Sequence, residues 1–215
     1  MEKFRSKVLM FGEYSLLYNS MALTMPFDKF SGHFNYTDQA DNTHLALLSN
    51  KGLREFCNHM LHQHTDETFK LNVNKFKAEL EKGLFFESNI PQGFGLGSSG
   101  ALVAAIFLRY LEKAGDIKDG VKHLTKEKIC NLKKCLGGLE GYFHGTSSGI
   151  DPLSILMNEP LLLRSNTDIS AVTIPAFKKD GKHVVFLLNT KLSRNTDKLV
   201  NQFKAATENK AFRDK

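Results

Sequence analysis

The stretch "PQGFGLGSSGA", residues 91–101, constrains this chain more than any other. Glycines at 93, 95 and 97 alternate with Phe94 and Leu96, two serines follow, and "LVAAIFLRYL" then reads as a buried helix. Glycine takes up positive φ without steric cost and lets a ligand approach the backbone closely. Successive amides in such a turn form an anion-binding concavity, and the next helix adds the positive end of its dipole. Ser98 or Ser99 can cap that helix, and a hydroxyl there can also ligate Mg2+. The competing reading is a turn that merely lets strand and helix pack tightly. Three alternating glycines followed by two serines favour a cradle for a di- or triphosphate.

Three familiar phosphate loops do not fit. Gly95-Leu-Gly-Ser-Ser-Gly100 has the dinucleotide spacing, but that fingerprint follows a first strand directly and needs an acid ending a second strand. Here Asp116 and Asp119 follow a helix instead. No V-A-I-K, H-R-D or D-F-G accompanies the loop, and no Gly-Lys-Ser/Thr occurs anywhere, which excludes the protein-kinase and Walker types.

The bulk numbers narrow the class without choosing an activity. At 215 residues, 41% hydrophobic and 24% charged, the chain is ordinary for a globular protein with a sizeable core. No apolar run reaches the roughly 18 residues of a membrane span, and no signal peptide is evident. Three cysteines without a framework spacing suit a cytoplasmic, reducing setting. The net charge of +6 is spread along the chain, with no Arg-rich tract and no basic–aromatic alternation. That spread argues against nucleic acid, while the charge itself suits small phosphorylated ligands equally well and decides nothing alone. A monomer or homodimer is expected.

Periodicity gives a coarse map. "KVLMF" reads as a strand, followed by a turn, a second strand ending at Pro26, and "FSGHFNY" as a further half-exposed strand. Residues 44–64 have helical spacing, and "TFKLNV" and "LFFESNI" read as strands around a short lysine-rich helix. Helices are expected over 98–113, 125–143 and 193–209, and strands at "PLLLRS", "AVTIP" and "HVVFLLNT". This irregular mixture predicts an α+β fold. "CNHMLHQH" (Cys57 to His64) reads as a polar helix end, because its spacing gives no clean tetrahedral ligand set.

A second chemical constellation is "GGLEGYFHGTSSGIDPLSI". Phosphoryl transfer needs a metal to neutralise phosphate charge and a group to take or orient the hydroxyl proton. Glu140 and Asp151, flanking a glycine-rich turn, can divide those tasks, although Asp151 before Pro152 can equally cap a helix. His144 between them is either a nucleotide or substrate contact or a packing residue beside the loop. Lys7 on the first strand, alone, reads no better than a solvated surface lysine.

Taken together and in order, "SKVLMFGEYSLL", "PQGFGLGSSGA" and "HGTSSGIDP" resemble the motif regions of the GHMP small-molecule kinases, most of all the mevalonate kinases. The family patterns are a lysine-bearing strand leading to G-E-H, then P-x-G-x-G-L-G-S-S-A-A, then H-G-x-P-S-G-x-D. "LLNTKLSRNTDKLV" resembles a further mevalonate kinase segment. The resemblance implies an ATP- and Mg2+-dependent kinase acting on the hydroxyl of a small molecule such as mevalonate. Gly93, Gly95, Leu96, Gly97, Ser98 and Ser99 would wrap the ATP phosphates, with Ser99 and Glu140 holding Mg2+. Asp151 would accept the hydroxyl proton, and Lys7 beside it would stabilise the developing charge. Glu13, Tyr14, His144, Arg194 and Thr196 would line the acceptor side.

The departures are Tyr14 for the histidine of G-E-H, Ser147 for the proline of P-S-G, Gly100 for an alanine, and Ser6 where glycine is common. Tyr14 leaves phosphomevalonate or a sugar as alternative acceptors. No counterpart of the family's third, glycine-rich motif is present. The resemblance therefore implies a GHMP N-terminal domain over 1–180 and only the opening strand and helix of a truncated, ferredoxin-like second domain over 181–215. On that expectation the chain alone turns over poorly, and a catalytically impaired nucleotide-binding fragment is the reading from another class.

Overall fold

A computed structural model describes residues 2–13, 15–18, 20–62, 68–113, 115–174, 187–188, 196–209 and 212. Its frame is an antiparallel sheet organised on one long strand. Strand β1 (Phe4–Phe11) lies against β2 (Ala22–Tyr36), with Phe4 opposite Gly32 and Phe11 opposite Leu23. The last five residues of β2 pair with β3 (Leu84–Ser88), and its first three with β4 (Leu161–Leu163). Strand β5 (Ile169–Ala171) then extends β4.

The two strands expected around Pro26 are therefore one. Proline cannot donate to a ladder and is tolerated at edges and bulges. Pro26 falls between the stretch of β2 paired with β4 and the stretch paired with β3. On the β1 side the register slips between Arg5, opposite Ser31, and Ser6, opposite Phe27. Ser6, fully buried, donates its hydroxyl to the Phe27 carbonyl at 2.9 Å beside that bulge.

Helix α1 (Thr43–His62) matches the expected periodicity and buries Ala46, Leu53, Phe56, Cys57 and Met60. Gly52 faces open space and does not interrupt it. "TFKLNV" is not a strand. Only Leu71 bridges Leu111, because Asn72 accepts from the Lys75 amide at 2.9 Å and so caps helix α2 (Val73–Glu81). The strand read at "AVTIP" lies earlier, at Ile169–Ala171. "HVVFLLNT" falls almost wholly outside the described residues.

Helix α3 (Ser98–Tyr110) is the central element of the core. It feeds Val103, Ile106, Phe107 and Tyr110 into one apolar cluster and Ala101, Ala104 and Ala105 into a second. Each large side chain so buried contributes about 1.5–3 kcal/mol. Helices α4 (Lys126–His144) and α5 (Ile150–Met157) pack beside it. Helix α6 (Thr196–Thr207) reaches the turn after β1, where the Tyr18 and Thr207 hydroxyls lie 2.5 Å apart. Among the described residues no helix is long and apolar enough to cross a membrane. The mixture of helices and antiparallel sheet is the α+β fold that the sequence predicts.

Candidate active site

The glycine loop bends between β3 and α3 with Gly93, Gly95 and Gly97 at φ of 78°, 72° and 78°. All three lie in the left-handed region that favours glycine. Gly97 is bound by space as well as by angle. A Cβ there would stand 2.9 Å from Ile155 Cδ1 and 3.2 Å from Lys7 Cγ. The loop is fastened to β1 through Leu96, buried, whose carbonyl accepts from the Lys7 amide at 3.2 Å. Glycine loop and lysine strand are thus one unit.

The capping expectation for Ser98 and Ser99 is corrected. Gly97 is the N-cap of α3, with no side-chain cap bond, so both serines sit in the first turn. A left-handed Gly97 aims the chain into the helix by backbone geometry alone, which frees the serine hydroxyls. Ser99 Oγ donates to Glu140 Oε1 at 2.9 Å and lies 2.9 Å from His144 Nε2. His144, the last residue of α4, therefore meets the loop directly.

Asp151 does not cap α5 either. Gly149, at φ 72°, is the N-cap, and Asp151 stands in the first turn, where a carboxylate suits the helix dipole. Gly100 explains how it comes so close to the loop. A Cβ on Gly100 would lie 3.0 Å from both the Asp151 carbonyl carbon and the Pro152 nitrogen, so α3 and α5 meet backbone to backbone. Asp151 Oδ1 then reaches Lys7 Nζ at 2.7 Å. The lysine side chain is only 6% exposed and Asp151 34%, so the cation is enclosed and the carboxylate keeps an open side. The lysine that reads as surface in isolation is buried and paired.

Glu140 lies on the buried face of α4, 4% exposed. Its other oxygen, Oε2, accepts from Ser147 Oγ at 2.5 Å. Burial pushes the Glu140 carboxyl above the usual carboxylate range, and the Asp151 charge adds to this, against the hydrogen bonds from Ser147 and Ser99. A carboxyl raised in the folded state contributes stability below the ordinary glutamate value near pH ~4.3, lost as pH rises through the raised value. With divalent cations chelated, Glu140→Gln should therefore raise the unfolding temperature at about pH 7.5 and leave it unchanged near about pH 4. A midpoint at the higher pH no greater than wild type would contradict the direction.

Ser99 Oγ and Glu140 Oε1 form a pair of hard oxygen donors at the mouth of the glycine loop, the chemistry Mg2+ selects. Among the described residues no group of three or more His, Cys, Asp or Glu side chains is placed to hold a metal. One carboxylate and one hydroxyl fit an ion that completes its octahedron with phosphate oxygens and water.

Of the expected acceptor-side residues, Glu13 is exposed just past the end of β1. Tyr14, Arg194 and the Thr196 side chain lie outside the described residues. Two features escaped the sequence reading. Ser147 was visible only as a departure from proline, yet it bonds Glu140. Gly137 and Gly149 are pressed together, and a Cβ on Gly149 would stand 2.0 Å from the Lys133 carbonyl oxygen.

Residues 55–158 match the family described as GHMP kinases N terminal domain. No curated protein matches the chain. Among solved structures, the Methanococcus jannaschii mevalonate kinase superposes with a TM-score of 0.51 at 17% identity, over 99% of this chain and 68% of that one. The L. major mevalonate kinase in complex with R-mevalonate gives 0.52 at 16%, over 98% of this chain and 63% of that one. The chain thus spans about two thirds of the length of these kinases. At such identities the likeness establishes the fold, and the family match covers the glycine loop, Glu140 and Asp151 alike. Over residues 55–158, just under half of its length, the chain is similar to the N-terminal domain of the GHMP kinases.

Proposed function

We propose that the chain is an ATP-dependent small-molecule kinase that phosphorylates the hydroxyl of mevalonate or a close relative. The observation that carries this reading is the pair of enclosed Lys7 with half-open Asp151 at 2.7 Å, packed against a glycine loop whose Ser99 meets Glu140. The loop amides and the N-terminus of α3 hold the phosphates by backbone donors and dipole. Ser99 and Glu140 would hold Mg2+, which supplies neutralisation of phosphate charge when bound. Asp151, open on one side, accepts the acceptor's hydroxyl proton as that oxygen bonds to the γ-phosphorus. The bond from that phosphorus to the β–γ bridging oxygen breaks, and ADP leaves. Lys7 stays against Asp151 and stabilises the charge that develops on the attacking oxygen.

Mevalonate is the favoured acceptor because the structural relatives are mevalonate kinases, one of them with R-mevalonate bound. The test is ADP release from Mg-ATP with mevalonate, phosphomevalonate, galactose or homoserine, alongside calorimetric ATP binding. Release that depends on mevalonate supports the reading. Release with another of the four replaces the acceptor and keeps the chemistry. ATP binding without release for any acceptor replaces the kinase by a nucleotide-binding module.

A further inference from the structure

We propose that Ser147 is a positioning residue that holds Glu140 in place and ties it to the turn presenting Asp151. The inference rests on the kinase reading above and deepens it. Ser147 stands where the GHMP pattern has proline, a residue with no hydroxyl and no donor. Its Oγ does two things at once: it donates to Glu140 Oε2 at 2.5 Å and accepts from the Gly149 amide at 3.0 Å. Gly149 is the N-cap of α5, two residues before Asp151.

Glu140 is consequently held from two sides. Ser99, on the helix that follows the phosphate loop, takes Oε1, and Ser147, on the turn between α4 and α5, takes Oε2. A glutamate's terminal torsion is broad, so an untethered carboxylate would sample many orientations. With Ser147 in place the plane of the carboxylate is set before any ligand arrives. Partners of this kind, which orient a metal-binding group without touching the metal, typically alter affinity by about 10–100-fold when removed. The same hydroxyl couples the two functional carboxylates, because its acceptor side fixes the backbone that leads into Asp151. The rival account is structural: Ser147 merely satisfies the buried Gly149 amide, whose loss would weaken folding and every ligand interaction alike.

The experiment separates these. ATP binding to the 215-residue chain is measured by calorimetry in chelator and across a Mn2+ titration, for wild type, Ser147→Ala, Ser147→Pro, Ser147→Thr and Glu140→Gln. In Ser147→Ala and Ser147→Pro, ATP affinity in chelator should stay within about twofold of wild type, while the Mn2+ needed for half-maximal enhancement rises about tenfold. Ser147→Thr, which keeps the hydroxyl, should restore the wild-type requirement, and it carries the test if Ala lowers the folded fraction. A wild-type Mn2+ requirement in Ser147→Ala overturns the proposal, as does equal loss with and without metal. Recovery in Ser147→Pro alone also overturns it, by assigning the role to backbone rigidity. If Glu140→Gln keeps the wild-type Mn2+ response, or wild type binds no ATP, the kinase reading itself fails and takes this inference with it.

Discussion

Asp151→Asn should lower phosphoryl transfer by about 10²–10⁴-fold while leaving ATP affinity within about twofold of wild type. The substitution is chosen for what it preserves. Asparagine keeps the size of the side chain and a carbonyl oxygen for Lys7 Nζ, which is 6% exposed and 2.7 Å from the native carboxylate. Alanine would instead strand that cation, and stranding a buried charge costs about 3–5 kcal/mol, confusing chemistry with folding. The amide has no oxygen basic enough to take a hydroxyl proton, so only the transfer step should suffer. Turnover and calorimetric ATP affinity measured on the same preparation decide it. Parallel loss of both would mean that Asp151 shapes the nucleotide site rather than serving as the base.

The largest effect on stability is expected at Gly149, not in the apolar core. Gly149→Ala places a methyl group 2.0 Å from the Lys133 carbonyl oxygen and 2.9 Å from the Gly137 nitrogen, both backbone atoms of α4. It also demands φ near +72° from a residue with a Cβ, which alone costs about 1–3 kcal/mol. Neither helix can retreat without moving Glu140 or Asp151. A loss of about 4 kcal/mol or more is expected, in the class that only a severe local conflict produces. Gly138→Ala supplies the internal contrast. That glycine is on α4 with open space where its Cβ would go, so alanine should stabilise by about 0.5–1 kcal/mol through helix propensity. Chemical denaturation of the two variants should shift the midpoint in opposite directions. A Gly149→Ala midpoint close to wild type would mean that α4 and α5 do not meet as described.

Much of the candidate site could be read from the chain because its parts are short and local. The alternating glycines carry their positive φ in their spacing, and α3 announces itself by an apolar run that no exposed helix would tolerate. Lys7 is the opposite case. One lysine on a strand carries no signal of its own, and its meaning comes from Asp151, 144 positions later. Ser147 and His144 are similar. Their bonds to Glu140 and Ser99 depend on how the turn after α4 folds back, which no local pattern states. The misread strand at "TFKLNV" failed for a nearer reason. Alternation of apolar residues suggested a strand, but Asn72 is a better helix cap than strand residue, and the cap prevailed. Pro26 misled in the other direction: it stands opposite Lys7 on the β1 side, one residue short of the bulge, and its other flank has no partner, so the ladder tolerates it.

Direct observation of group transfer bears most on the central claim. The chain would be incubated with Mg-ATP and R-mevalonate and followed by phosphorus NMR. The account predicts a growing phosphomonoester resonance matched by ADP, absent when mevalonate is omitted and suppressed in Asp151→Asn. ATP resonances that do not change with time, whether or not they shift or broaden on adding the chain, would contradict it.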